Sequence, residues 1–286
     1  MNAETTLITG ASSGIGFHLA NEFAAHGHPT ILVAPVADEL RQVAIELSNA
    51  HGVPVRTIAS NLEQTDSTGA IFDELHHDGT VVDILVNNAG HGFRGKFFET
   101  PLEHDLSMVR LNIEAVLRLT KLFLRPMVQR GHGRILNTAS IAAFEPGPLL
   151  AVYHASKAFV LSWSEALAIE LEGAGVTVTA LCPGPTDTDF FQKAGMIATR
   201  AFQGKNLMAP QDVAKAAYKG LMDGELFVVP GGMNKALVAA RRLLSEAAQA
   251  KLSEKFYEEL PPEARKRERG DVERGAGASK QEVITP

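Results

Sequence analysis

Tyr153 and Lys157 stand four residues apart in the stretch Tyr-His-Ala-Ser-Lys, where a helical pattern begins. Positions i and i+4 share one face of a helix, so the phenol and the ammonium point the same way. A free phenol titrates near ~10, and an ammonium a few Å away in a site partly closed to water favours the phenolate. The pair is therefore a means of moving a proton near neutral pH. Ser140, upstream, ends the apolar run Arg134-Ile-Leu-Asn-Thr-Ala-Ser, and a Pro/Gly-bearing loop separates it from Tyr153. Taken alone, Tyr-x-x-x-Lys is more often an ordinary exposed helix pair. Its weight depends on its surroundings.

A second chemical feature lies near the start. A short apolar strand at 5–8 runs into Gly10-Ala-Ser-Ser-Gly-Ile-Gly16, and Ile15, Leu19 and Phe23 then repeat at helical spacing up to Gly27. Strand, glycine loop and helix form the setting of a dinucleotide fingerprint, although the spacing G-x-x-x-G-x-G differs from G-x-G-x-x-G. Gly10, Gly14 and Gly16 would let backbone N–H groups approach a pyrophosphate, and the helix start adds positive partial charge. Ser12 and Ser13 add hydroxyl donors. The strand at 30–34 ends in Ala34-Pro35-Val36, which offers neither an acid for a ribose 2′-hydroxyl nor an arginine for a 2′-phosphate. Asp38 reads as a first-turn charge of the next helix. NAD against NADP is thus left open.

The remaining pattern alternates strands with helices. An apolar strand at 81–86 meets Asn87-Asn88-Ala89-Gly90, placing amides at a carboxyl sheet edge, where ligands bind in open α/β sheets. Thr100-Pro101-Leu102-Glu103 has the form of a capping box. The helix after it carries Asn112 mid-pattern, an unusual choice for a residue that competes with its own backbone, and Pro126 predicts a kink. Phe159, Trp163, Leu167 and Leu171 share one face of the helix after Tyr153 and read as core or subunit contact. A strand at 176–182 ends in Pro183-Gly184-Pro185-Thr186-Asp187-Thr188, with Cys182 read as a packed, inert thiol. About 186–208, with Phe190, Phe191, Met196 and Ile197, reads as a substrate lid. A seventh strand falls at 226–230. Residues 1–232 then form the catalytic unit, 233–260 a helical extension packed on the body, and 261–286 a charged tail expected to be disordered.

Composition bounds the class. The chain has 286 residues, 45% hydrophobic and 21% charged, enough for one large α/β unit with a substantial core. A net charge of −6 with mixed signs excludes a nucleic-acid surface, and a single cysteine excludes an internal disulfide. No apolar run is long enough to span a membrane, and the first residues lack the pattern of a secretory signal. The expectation is a cytoplasmic protein with no metal site.

Thr9-Gly-Ala-Ser-Ser-Gly-Ile-Gly16, Asn87-Asn-Ala-Gly90, Asn112, Ser140, Tyr153-His-Ala-Ser-Lys157 and Pro183-Gly-Pro-Thr-Asp-Thr188 occur in order, each in its expected setting. In this the chain resembles the short-chain dehydrogenase/reductase superfamily, and within it the bacterial ketoacyl and hydroxysteroid-like reductases. The resemblance spans roughly the first 230 residues. It implies a Rossmann-like doubly wound sheet of about seven parallel strands with helices on both faces. It also implies an NAD(P)(H)-dependent interconversion of a carbonyl and a secondary alcohol, commonly by a homodimer or homotetramer. Tyr153 would be the general acid/base, Lys157 would depress its pKa and hold the nicotinamide ribose, Ser140 would orient the substrate oxygen, and Asn112 would hold a water on the proton path. The glycine loop with Ser12, Ser13 and Ile15 would take the pyrophosphate. Asn61, Leu62, Asn88, Ala89 and Gly90 would line the adenosine side, and Pro183, Gly184, Thr186 and Thr188 the nicotinamide amide. Phe190 and Phe191 would meet an apolar small-molecule substrate. Two departures stand out: Asn61 where an aspartate is usual, and Ala34-Pro35 where arginines commonly grip a 2′-phosphate. A catalytically silent cofactor-binding scaffold and a membrane-associated 3-oxoacyl reductase are the rival readings.

Overall fold

The computed structural model describes residues 3–204, 207–241 and 243–270. β1 (Thr6–Thr9), α1 (Gly14–Ala25), β2 (Thr30–Ala34), α2 (Ala37–His51), β3 (Val55–Ala59), α3 (Ser67–His77) and β4 (Ile84–Asn87) alternate along the first third of the chain. α4 (Leu102–Val109), a π-helical turn (Arg110–Glu114) and α5 (Ala115–Arg130) lead to β5 (Gly133–Thr138), a 3-10 turn (Ile141–Phe144), α6 (Ala151–Glu170) and β6 (Val176–Leu181). Two short helices, α7 (Phe190–Lys193) and α8 (Arg200–Gln203), precede α9 (Pro210–Met222) and β7 (Phe227–Val228). α10 (Gly232–Arg241), α11 (Glu246–Tyr257) and a 3-10 turn (Pro262–Ala264) follow.

The seven strands form one sheet in the order β3-β2-β1-β4-β5-β6-β7, all parallel, as expected. Successive strand residues point to opposite faces, so neighbours in sequence enter different cores. Ile8, Leu32, Val86 and Leu136 pack with Leu19, Phe23 and Leu47 on one side, together with Val213 and Leu221. Leu7, Val33, Leu85 and Ile135 pack with Ile71, Leu119 and Phe123 on the other. The order of strand addition reverses about β1, which pairs with both β2 and β4, and this opens a crevice at the carboxyl ends.

Several details differ from the expectation or add to it. Thr100 does not cap α4; the residue before the helix is Pro101, and the Thr100 hydroxyl donates to the Phe97 carbonyl at 3.1 Å. Pro126 lies inside α5, while the winding changes at Arg110–Glu114, a π turn with Asn112 at its centre. Residues 233–260 make two helices, with Ser245 accepting from the Ala248 amide at 3.4 Å at the start of α11. They pack on the body as expected, but most of their large aliphatic side chains, Val238 excepted, stay outside: Leu243 is 87% exposed, and Leu237, Leu244 and Leu252 are exposed as well. Finally, 261–270 is not a disordered tail. The amides of Lys266 and Arg267 donate to Gln203 Oε1, and the Gly270 amide to Asp187 Oδ1 at 3.0 Å. The expected tail from 271 onward lies outside the described residues.

Beneath the crevice, polar groups lock neighbouring elements. Asn87 Nδ2 on β4 donates to Asn137 Oδ1 on β5 at 2.8 Å and to Thr120 Oγ1 on α5 at 3.0 Å. Asn137 Nδ2 in turn donates to Ser164 Oγ on α6 at 2.9 Å. A buried polar group stripped of its partner costs about 1–3 kcal/mol. Asn137→Ala should therefore lower stability by about 2–3 kcal/mol, read as a shifted urea midpoint with an unchanged slope.

Candidate active site

The carboxyl-edge crevice is a cavity of about 420 Å³ that runs from the end of β2 to α11. Its floor is the glycine loop. Gly10 and Gly14 have φ of +65° and +55°, the left-handed region that other residues resist. A Cβ on Gly16 would overlap the Gly10 carbonyl and approach Asn88 Nδ2 to 2.6 Å, so only glycine admits this close passage. Ser13 precedes α1 in extended conformation without capping the helix through its side chain, so its hydroxyl is not committed there. Strand-end amides and a helix start facing a cavity fit the pyrophosphate of a dinucleotide.

The second wall follows β4. Thr9 Oγ1 accepts from the Asn88 and Ala89 amides at 2.9 and 3.0 Å, and Asn88 Nδ2 donates to the Thr9 carbonyl. Asn88, Ala89 and Gly90 line the cavity, with the Asn88 side chain engaged in fastening this loop to β1. Asn61 and Leu62 line it from the end of β3, and Asn61 Oδ1 accepts from the Glu63 amide. Pro183, Gly184, Thr186 and Thr188 line the opposite side. Thr186 donates to the Gly184 carbonyl at 2.9 Å, and Thr188 lies directly across from Gly14.

Ser140, Tyr153 and Lys157 line the same cavity. Ser140 caps the 3-10 turn, its Oγ accepting from the Ala142 amide at 3.1 Å. Tyr153 sits in the first turn of α6, hydrogen-bonded to Ser140, with its ring 5.2 Å from that of Phe190. Lys157 is 5% exposed; its Nζ donates to the Thr138 carbonyl at 2.8 Å and lies 5.9 Å from the Tyr153 ring centre. The sequence led us to expect Lys157 to depress Tyr153. In the folded chain burial dominates instead: it pushes the phenol up to about 12, against a lowering by Ser140, and the ammonium down to about 8.

Asn112 does not line the cavity and is fully buried. Its Oδ1 accepts from the His91 amide at 3.1 Å, and its Nδ2 donates to the His91 carbonyl at 3.0 Å and to Ser156 Oγ at 3.1 Å. The carboxamide thus clamps both polar ends of one residue, which explains its place in an unusual helical turn. π turns recur at such functional positions. Phe190 and Phe191 both reach the cavity, within an apolar group that includes Leu150, Met196 and Phe202. Among the described residues no cluster of His, Cys, Asp and Glu is arranged to hold a metal. Cys182 is buried, and its thiol is pushed up to about 12.

The profile of the family described as short chain dehydrogenase matches residues 4–196. The chain belongs to that family. A very-long-chain 3-oxoacyl-CoA reductase of Phaeosphaeria nodorum is 39% identical over 176 residues, which are 60% of this chain and 52% of that protein. The chain thus matches about half the length of that relative. Ketoacyl reductase HetN of a Nostoc species is 31% identical over 224 residues, 77% of this chain and 76% of that one. Among solved structures, a short-chain dehydrogenase from Sphingobium yanoikuyae in complex with NADPH is 34% identical with a TM-score of 0.75, covering 84% of this chain and 94% of its own.

Sequence reasoning missed the far wall, made by Glu145, Arg241, Phe256 and Tyr257. The signal was present: Gln249, Ser253 and Tyr257 recur every four residues on α11 and are its buried stripe.

The two shifted groups give this short-chain dehydrogenase a testable pH limb. Lys157 is charged below about 8 and Tyr153 stays protonated well above that. Carbonyl reduction that uses both groups in these forms loses its ammonium as pH rises through about 8. We expect kcat/KM for the cofactor, which reports the free protein, to fall about tenfold per pH unit above that point. A steady-state profile between about pH 6 and 10 checks it.

Proposed function

We propose that the protein is an NAD(P)-dependent oxidoreductase that interconverts a carbonyl and a secondary alcohol. One observation carries the reading: Ser140, Tyr153 and Lys157 converge on the cavity whose floor is the glycine loop. The Tyr153 hydroxyl donates its proton to the carbonyl oxygen in reduction and recovers one in oxidation. The Ser140 hydroxyl donates a hydrogen bond to the same oxygen and opposes the charge developing there. Lys157 keeps a positive charge beside the phenol and holds the ribose side of the bound nucleotide. Asn112 acts through His91, fixing the loop that follows β4. A nicotinamide bound here would supply or accept the hydride. The apolar lining by Leu150, Phe190, Phe191 and Met196 favours ketones on apolar bodies. The names of the relatives, reductases of 3-oxoacyl and ketoacyl groups, support that class. A silent scaffold would have no chemical need for the complete set.

Tyr153→Phe keeps the ring and removes only the proton. Because a positioned general acid contributes about 10²–10⁴-fold, the variant should lose that much kcat while binding the reduced cofactor normally. Ketone reduction at the wild-type rate would sink the mechanism.

We read the cofactor as NAD(H). At the end of β2 the cavity is lined by Ala34, Pro35, Val36 and Glu39, which supply no cation for a 2′-phosphate and one carboxylate that opposes it. NADH should raise the melting temperature more than NADPH at equal concentration; a ligand at about 100 times its Kd adds about 2.7 kcal/mol. The reverse order in a thermal-shift assay would refute this preference.

A further inference from the structure

The C-terminal helices bury an unusual share of polar side chains. Asn234, Gln249, Ser253 and Tyr257 are buried, with Val238, and Arg241 is half-buried, while Met233, Leu237 and Leu252 face outward. Arg241 and Tyr257 have partners on the catalytic side of the fold, while Gln249 donates to the Arg241 and Leu244 carbonyls within the extension. Arg241 pairs with Glu145 at 2.7 Å and donates to the Ile141 carbonyl at 3.0 Å. Burial outweighs the pairing for both ions, raising the carboxyl and lowering the guanidinium from their ordinary values.

His154, next to Tyr153 in sequence, joins this group. Its Nδ1 lies 2.9 Å from the Glu145 carbonyl, which can only accept, so Nδ1 carries the proton. Burial holds the ring neutral, which leaves Nε2 an acceptor. The Tyr257 hydroxyl, 2.9 Å away, therefore donates to Nε2. A Cβ on Gly147 would overlap the imidazole, so the loop between Ser140 and α6 is shaped to seat this ring. Tyr257 is braced from behind as well. Arg94 Nε donates to its carbonyl at 2.8 Å, and the next residues pair with the lid through Arg200 N to Glu258 O and Leu260 N to Ala198 O. Its ring belongs to the apolar group of Leu150, Phe191 and Met196, against which the Tyr153 ring also packs.

We propose that Tyr257 is a specificity-determining residue, the end wall of the substrate chamber, and that His154 is the positioning residue that fixes its distance from Tyr153. This rests on the oxidoreductase reading and names its substrate class. A fixed aromatic wall lining the same cavity as Tyr153 suits a compact, ring-bearing ketone and obstructs a long unbranched chain. The family profile ends at residue 196, so Tyr257 lies outside the residues that it matches.

The test compares a decalone with a linear decanone of the same carbon number, using the full chain, Tyr257→Phe and Tyr257→Ala. Two measurements are made: steady-state reduction, and calorimetric binding of each ketone in the presence of oxidised cofactor. We expect Tyr257→Ala to weaken decalone binding and raise its KM at least about tenfold, with kcat changed less than about threefold and the linear ketone unaffected or tighter. Tyr257→Phe, which keeps the ring but not its tether to His154, should show a smaller shift of the same sign. It serves alone if the alanine variant does not fold. NADH affinity should stay within about twofold throughout, since the wall lies beyond the cofactor floor. Unchanged decalone binding, a parallel loss for both ketones, a parallel loss of NADH affinity, or no ketone binding by the wild type each overturns the proposal. If wild-type protein binds decalone through Tyr257 yet reduces nothing, the wall stands and the oxidoreductase reading falls.

Discussion

The Lys157 ammonium lies buried at the end of β5, its Nζ held by the Thr138 carbonyl at 2.8 Å. An ion taken out of water costs several kcal/mol unless its surroundings compensate, and the depressed pKa records how far they fall short of doing so. Much of the neighbouring structure follows from that constraint. The strand must end where its carbonyl points into the crevice. Gly90 must lack a side chain, because a Cβ there would come within 3.2 Å of Nζ and 3.0 Å of Asn112 Oδ1. The helix carrying Asn112 must wind loosely enough to turn its carboxamide toward His91. Tyr153, one turn from the buried charge, is left in a setting where only the neutral phenol is comfortable.

The first half of this arrangement was legible in the chain because it is written in local signals. Glycines at left-handed positions, strands ending in amides and a Pro-Gly turn each have a short-range physical cause, and β2 falls on the residues its pattern predicts. Lys157's effect on Tyr153 was misjudged for a different reason. Spacing says that two groups share a helix face, but burial depends on everything packed above them. The Thr100 capping box failed because Pro101, with its extended backbone, stands as the cap residue itself.

The C-terminal region packs on the body through a face that its sequence does not advertise. Apolar residues at helical spacing normally mark a core face, yet α11 buries Gln249, Ser253 and Tyr257, and α10 buries Asn234 beside Val238. The interior they meet already contains Glu145, His154 and the backbone carbonyl of Ile141, and polar partners are what those groups need. A helix is amphipathic relative to its neighbour, and one sequence read alone does not reveal that neighbour's polarity.

The order of the site along the chain also has a temporal side. A ribosome delivers the glycine loop, Ser140, Tyr153, Lys157 and the turn ending at Thr188 before it makes α10 and α11. Tyr257 follows Thr188 by roughly 70 residues, a delay of about 3–14 s at about 5–20 residues per second. A growing chain thus carries its nucleotide cradle before it has an end wall. Until α11 docks, the Tyr257 hydroxyl has no His154 to donate to, so the end wall is the last part of the chamber to form.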